Sequence, residues 1–219
     1  MGDALLDSEQ PPETAEAEYR LALLLKPNSI PVRIKLAEAL RLEGKLPEAI
    51  AELREALRLD PKSAAAHTDL GFLFAAQQNM ADATLEYREA IRLDPDFIDA
   101  HNYLAIALAR QGRLPDAVAE FREMIRIDPD CVLAYFNLGI ALADMDEDEQ
   151  SAEALRQAVR VNPNHFNARY DLAELFRLEG KFDEMVKQFR EYLRLAPDTP
   201  QNQRNIRRAK DFIQTYANP

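Results

Sequence analysis

His67 and His101 stand 34 residues apart in equivalent helical settings, and two stacked imidazoles could supply part of a metal site. No third ligand accompanies them, and His165 falls in a loop elsewhere, so the pair reads as packing. Asp144, Asp146 and Asp148 mimic the first three ligands of a calcium loop. The pattern then fails, because Glu149 stands where the glycine is needed and Leu155 where the bidentate glutamate is needed. The run 144–149 reads instead as an acidic turn that suits the following helix N-terminus. Arginines form two rows: Arg20, Arg54, Arg88, Arg122, Arg156 and Arg190, then Arg58, Arg92, Arg126, Arg160 and Arg194. Such rows could read phosphate. However, Glu55, Glu89, Glu123 and Glu191 lie three residues before members of the second row, in position to pair with them on a helix. A solvated, salt-bridged face is the expected outcome. No nucleophile elbow, phosphate-binding loop, dinucleotide fingerprint or zinc spacing occurs. The chain is therefore expected not to be an enzyme, and no cofactor or metal is predicted.

The elements that carry these residues are set by a period. Pro27, Pro61, Pro95, Pro129, Pro163 and Pro197 recur every 34 residues. With each proline at position 32, position 7 is Leu36, Leu70, Leu104, Leu138 and Leu172. Position 8 is small: Ala37, Gly71, Ala105, Gly139 and Ala173. Position 11 is large and apolar, from Leu40 to Phe176. Positions 20, 24 and 27 form a second apolar stripe, as in Ala83, Tyr87 and Ala90. Gly44, Gly112 and Gly180 separate the stripes, with Asp146 or the pair Gln78 and Asn79 in the same place. Pro47 and Pro115 open second helices, and the position-32 proline ends each one. Each unit is thus predicted to be a helical hairpin. Small residues at positions 8 and 20 admit close approach, and large ones at 7, 11 and 24 fill the gaps.

This arrangement resembles the tetratricopeptide repeat, whose pattern is W-x2-L-G-x2-Y…A-x3-F…P at a period of 34. The match runs over residues 12–199. It departs at position 4, where Arg33, His67, His101, Tyr135 and Arg169 replace the tryptophan. The resemblance implies an all-α, right-handed superhelical solenoid. Residues 1–11 are then an N-terminal stub, with Ala4, Leu5 and Leu6 its apolar residues, and 12–29 a half-repeat consisting of a second helix. Full repeats follow at 30–63, 64–97, 98–131, 132–165 and 166–199. Residues 200–219 are a capping helix, with an apolar stripe of Ile206, Ala209, Ile213 and Tyr216.

The resemblance also implies that first helices line a concave groove, with positions 2, 5, 9 and 12 toward a protein or peptide ligand. Here those positions offer Phe72, Ile106, Ile140, Leu133, Phe136 and Tyr170 as apolar contacts. Glu38 with Arg41, and Glu174 with Arg177, stand at the margins. The family's chaperone-tail binders need a set of lysines and asparagines that no three consecutive repeats supply. A polar asparagine ladder for extended peptides fits poorly too, because position 6 runs Lys35, Asp69, Tyr103, Asn137 and Asp171.

Composition bounds the rest. The 219 residues carry a formal charge of −11, which argues against sequence-independent nucleic-acid binding and against anionic membrane. No apolar run is long enough to span a bilayer, Cys131 is the single cysteine, and residues 1–11 carry neither a basic n-region nor a long apolar run, so no signal peptide is expected. A cytoplasmic protein without disulfides is expected. The expected function is an interaction scaffold or adaptor that binds an apolar or amphipathic segment in the groove. Two alternatives stay open: a targeting or regulatory module of a larger protein, including an enzyme, and self-assembly through the uncapped N-terminal end.

Overall fold

Small residues decide how the helices meet. A Cβ added at Gly71 would lie 2.7 Å from the Tyr87 ring, and one at Gly139 would lie 2.7 Å from Leu155. Position 8 is therefore a point of near contact between the two helices of a hairpin, and position 24 supplies the side chain that fills it. Ser151, at position 20, donates from its hydroxyl to the Gly139 carbonyl at 2.7 Å, which binds the two helices of that hairpin at the same place.

The computed structural model describes residues 12–217, which form two compact units within 1–113 and 114–219. The stub 1–11 lies outside the described residues. Unit 1 holds α1 (Pro12–Leu25), α2 (Ile30–Leu42), α3 (Leu46–Leu59), α4 (Ala64–Ala76), α5 (Met80–Leu93) and α6 (Ile98–Arg110). Unit 2 holds α7 (Leu114–Ile127), α8 (Val132–Ala143), α9 (Asp148–Val161), α10 (Phe166–Leu178), α11 (Phe182–Leu195) and α12 (Gln203–Tyr216). All regular elements among the described residues are helices. Each unit is an all-α stack of antiparallel hairpins whose core forms between consecutive helices.

Within hairpins the chain reverses through a left-handed residue: Gly44, Gln78, Gly112, Asp146 and Gly180, with φ between 60° and 78°. The following amide closes the loop on a carbonyl five residues back, as in Lys45 to Leu40 at 2.8 Å and Asn79 to Phe74 at 2.9 Å. Of the predicted pair, Gln78 takes the left-handed conformation. Asn79 instead caps α5 by accepting from the Asp82 amide.

Between repeats the residue before the proline builds the turn. Asp60, Asp94, Asp128 and Asn162 each accept from the amide two residues on. Position 4 then grips that turn. Arg33 donates to the Pro27 carbonyl at 2.8 Å and Arg169 to the Pro163 carbonyl at 2.9 Å, while His101 Nε2 meets the Pro95 carbonyl at 3.0 Å. His67 contacts the Pro61 carbonyl and, through Nδ1, Glu86 at 2.6 Å. Arg33 and Arg169 likewise reach Glu52 and Gln188 on the second helix. The slot predicted to be simple packing is a polar clasp, which explains why arginine and histidine can stand where the family carries tryptophan.

The second arginine row pairs as expected. Arg58, Arg92, Arg126 and Arg194 pair with Glu55, Glu89, Glu123 and Glu191 three residues earlier. Such exposed pairs add little stability but keep the outer face solvated.

Gly71→Ala drives a methyl into the Tyr87 ring and toward the Ala83 carbonyl at 3.1 Å. The variant is expected to lose about 1–3 kcal/mol of stability in urea denaturation, the cost of overpacking. Gly44→Ala, with open space around its Cβ, is expected to lose less, and only through its positive φ.

Candidate functional site

First helices lie side by side in unit 1, with α2 against α4 and α4 against α6. Successive helices thereby bring positions 9 and 12 of one repeat onto positions 6 and 9 of the next. Glu38 and Arg41 of α2, Asp69 and Phe72 of α4, and Tyr103 of α6 line a pocket of about 150 Å³, floored by Ala37, Leu53 and Leu73. The Phe72 and Tyr103 rings meet edge to face at 5.4 Å. Arg41 lies over the Phe72 ring, 5.2 Å from its centre. Tyr103 also stacks on the core ring of Tyr87 at 5.8 Å, so its place in the wall is fixed from behind.

Asp69 is the unusual member. Its carboxylate makes no hydrogen bond or ion pair with the described residues. Burial pushes its pKa up to about 6, and the Glu38 charge adds to the rise. Arg41 and Lys35 oppose the rise too weakly to cancel it, and Asp99 reinforces it.

Unit 2 repeats part of this arrangement. Glu174 and Arg177 occupy on α10 the positions that Glu38 and Arg41 occupy on α2, and they pair with each other at 2.9 Å. Here α12 covers them. Arg208 of α12 donates to the same Glu174 oxygen at 2.8 Å. The guanidiniums of Arg177 and Arg208 both lie 5.5 Å from the centre of the Phe212 ring. Asp171, at the repeat position of Asp69, is likewise pushed up to about 6 by burial, with Glu174 adding to it.

The predicted site residues separate into three groups. Glu38, Arg41 and Phe72 converge on the unit 1 pocket, and Glu174 and Arg177 on the α10–α12 contact. Ile106 is half-buried on α6, while Leu133 and Ile140 of α8 stand 47% and 39% exposed, and Phe136 packs on the His165 ring at 4.6 Å. Tyr170 departs from expectation. It is 8% exposed, held in the core of unit 2 against Phe189 and Tyr192, because α11 supplies aromatic partners at this level. Asp69, Tyr103, Arg208 and Phe212 were missed. The signal for the first two was present: position 6 departs from asparagine in four of five repeats.

The two aspartates set a pH dependence opposite in sign to the usual carboxylate. Their pKa values are raised in the folded state, so folding retains a proton that the unfolded chain releases near 3.8. Their contribution to stability is therefore expected to fall as pH rises from about 4 to about 6 and to hold level above that. Each group costs roughly 2–3 kcal/mol at neutral pH. Asp69→Asn is expected to raise the melting temperature at about pH 7.5 and to leave it nearly unchanged at about pH 3.5. Thermal scans at the two values check this.

The fold and the site now stand beside known proteins. A family profile described as TPR repeat matches residues 37–78, and one described as tetratricopeptide repeat matches 85–130, 104–144 and 136–200. No curated protein matches the chain. Among solved structures, YrrB, whose structure is described as "a TPR protein with an unusual peptide-binding site", superposes with a TM-score of 0.68. It is 18% identical, over 88% of this chain and 97% of that one. PilF of Pseudomonas aeruginosa gives 0.71 at 22% identity over 85% and 88%. MamA gives 0.68 at 22% over 73% and 93%. At these identities the likeness establishes the fold. Together with profile matches that extend through more than half of the sequence, it leads to one conclusion: the chain belongs to the tetratricopeptide repeat family.

Proposed function

We propose that this protein is a non-enzymatic interaction scaffold or adaptor whose first-helix faces bind an amphipathic segment of a partner protein. The observation that carries the reading is the exposure of Leu133 and Ile140 on α8, at positions 2 and 9 of one repeat. Both stand on a helix whose opposite face is already buried through Ala134, Leu138, Ala141 and Leu142. Apolar side chains beyond core requirements, repeated on one face, are characteristic of interfaces. In unit 1 the same face carries Phe72 and Ile106, with Glu38 and Arg41 beside them. A partner segment with apolar residues on one side and charges on its flanks matches both faces. No described helix is long and apolar enough to cross a membrane.

Self-association through the N-terminal end is supported by a second observation. At positions 26 and 29, where the other five second helices carry hydrogen-bonded pairs such as Glu55 with Arg58 and Gln157 with Arg160, α1 carries Leu21 and Leu24. They are 56% and 77% exposed. Light scattering at high concentration reads this directly: Leu24→Lys is expected to abolish any dimer, and a monomeric parent chain rules the reading out.

For the main reading, Ile106→Glu and Ile140→Glu each place a carboxylate in a contact that binding would desolvate. Partner capture from native lysate, followed by affinity measurement on the captured protein, is expected to weaken at least about tenfold with the helical circular dichroism intact. Two folded variants that bind as the parent does would place the interface elsewhere.

A further inference from the structure

Glu38 with Arg41, and Glu174 with Arg177, stand in the same repeat register, yet only the second set is closed by ion pairs. In unit 2, Glu174 is met by Arg177 of its own helix and by Arg208, which α12 brings from 34 residues further on. In unit 1, residue 72 stands 34 residues after Glu38, and it is a phenylalanine. The cation that closes the unit 2 arrangement has no counterpart there. Among the described residues Glu38 pairs only with Lys35, at the 4.0 Å edge of pairing. What remains is an open pocket of about 150 Å³, comparable to a cavity that holds a benzene ring. It is walled by two carboxylates and two aromatic rings, and Asp69 is turned into it without a partner.

Resting on the scaffold reading above, we propose that this pocket receives the guanidinium of an arginine side chain carried by the partner segment. Glu38 and Asp69 supply acceptors for its five N–H donors, and the Phe72 and Tyr103 rings line the same pocket as aromatic surface. Arg41 shares the wall but lies over Phe72, and two carboxylates outweigh it. Lys35 and Asp99, the other charges felt at Asp69, act in opposite directions. The arrangement also accounts for a carboxylate kept where it weakens the fold: burial disfavours its charge, and an arriving guanidinium restores it. The charge of −11 on the whole chain favours the approach of a basic segment.

The test uses the full chain, ¹⁵N-labelled, at about pH 7.5, titrated with Ac-Ala-Ala-Arg-Ala-Ala-NH2 and with peptides bearing citrulline, lysine or glutamate in place of the arginine. Citrulline keeps the shape of arginine and removes its charge. The arginine peptide is expected to shift the amides of 37–41, 69–73 and 103 saturably. Citrulline should bind at least about tenfold more weakly, and Asp69→Asn should weaken the arginine peptide to a similar degree while melting no lower than the parent. Glu38→Gln provides a second variant outside the core and is expected to weaken binding several-fold. Lysine binding as tightly as arginine would overturn the guanidinium assignment. Equal binding of arginine and citrulline, tighter binding of glutamate, or no saturable shift would overturn the pocket assignment altogether. If the pocket assignment fails while Ile140→Glu still abolishes partner capture, the scaffold reading stands without it. If Ile140→Glu and Ile106→Glu leave capture unchanged, the scaffold reading falls, and the arginine titration is decided on its own shifts.

Discussion

Close approach of the two helices in each hairpin is the constraint from which the rest follows. With Gly71 and Gly139 pressed against Tyr87 and Leu155, each hairpin is thin, and a third helix can reach both members at once. Side-by-side first helices are a consequence, and so is the meeting of α2, α4 and α6 residues at one pocket. Since each helix buries its apolar stripe only on neighbours, the energetics are those of a linear array, in which losses stay local.

Polar groups tune that array at two levels. The position-4 clasp ties a helix to the turn before it and to the helix after it, through carbonyls that would otherwise lie open at the helix end. It needs a long or forked donor, which arginine and histidine provide. His165 does a related task by a different route. Its Nδ1 accepts from the Ala168 amide as a helix cap, and burial lowers its pKa, which keeps that nitrogen free to accept. Glu16 binds both Arg20 and Lys45, holding α1 to the loop before α3, and its pKa is lowered chiefly by the hydrogen bond from Lys45.

The aspartates at position 6 run against this economy. Asp69 and Asp171 are half-buried without a compensating bond, and burial raises the pKa of each, so a fold selected for stability alone would favour asparagine there. In unit 2 the surrounding charge is absorbed by α12, which acts as lid and cap together through Arg208 and Phe212. In unit 1 it is left facing a pocket. The same repeat register thus gives a closed structural contact in one unit and an open one in the other: the following helix carries Arg208 and Phe212 in unit 2, where unit 1 has Phe72 and Ala76.

The sequence by itself determined the hairpin, its period and its turns. These depend on residues close along the chain: proline against helix propagation, a left-handed residue at the loop, apolar stripes at helical spacing. The ion-paired outer face was legible for the same reason, since its partners are three residues apart. The tertiary structure decided whatever depends on residues that meet only when helices and turns pack, from 6 to 34 positions apart. Tyr170 reads as a ligand contact on its own helix and is buried because α11 presents Phe189 and Tyr192 to it. Position 4 reads as packing until the carbonyl of the preceding turn comes within bonding distance. Asp69 reads as one polar residue among many, and only the stacking of α2, α4 and α6 half-buries it in the wall that Glu38, Phe72 and Tyr103 share. Period fixes which slots face one another, but desolvation is a property of the assembled neighbours, and no single repeat contains it.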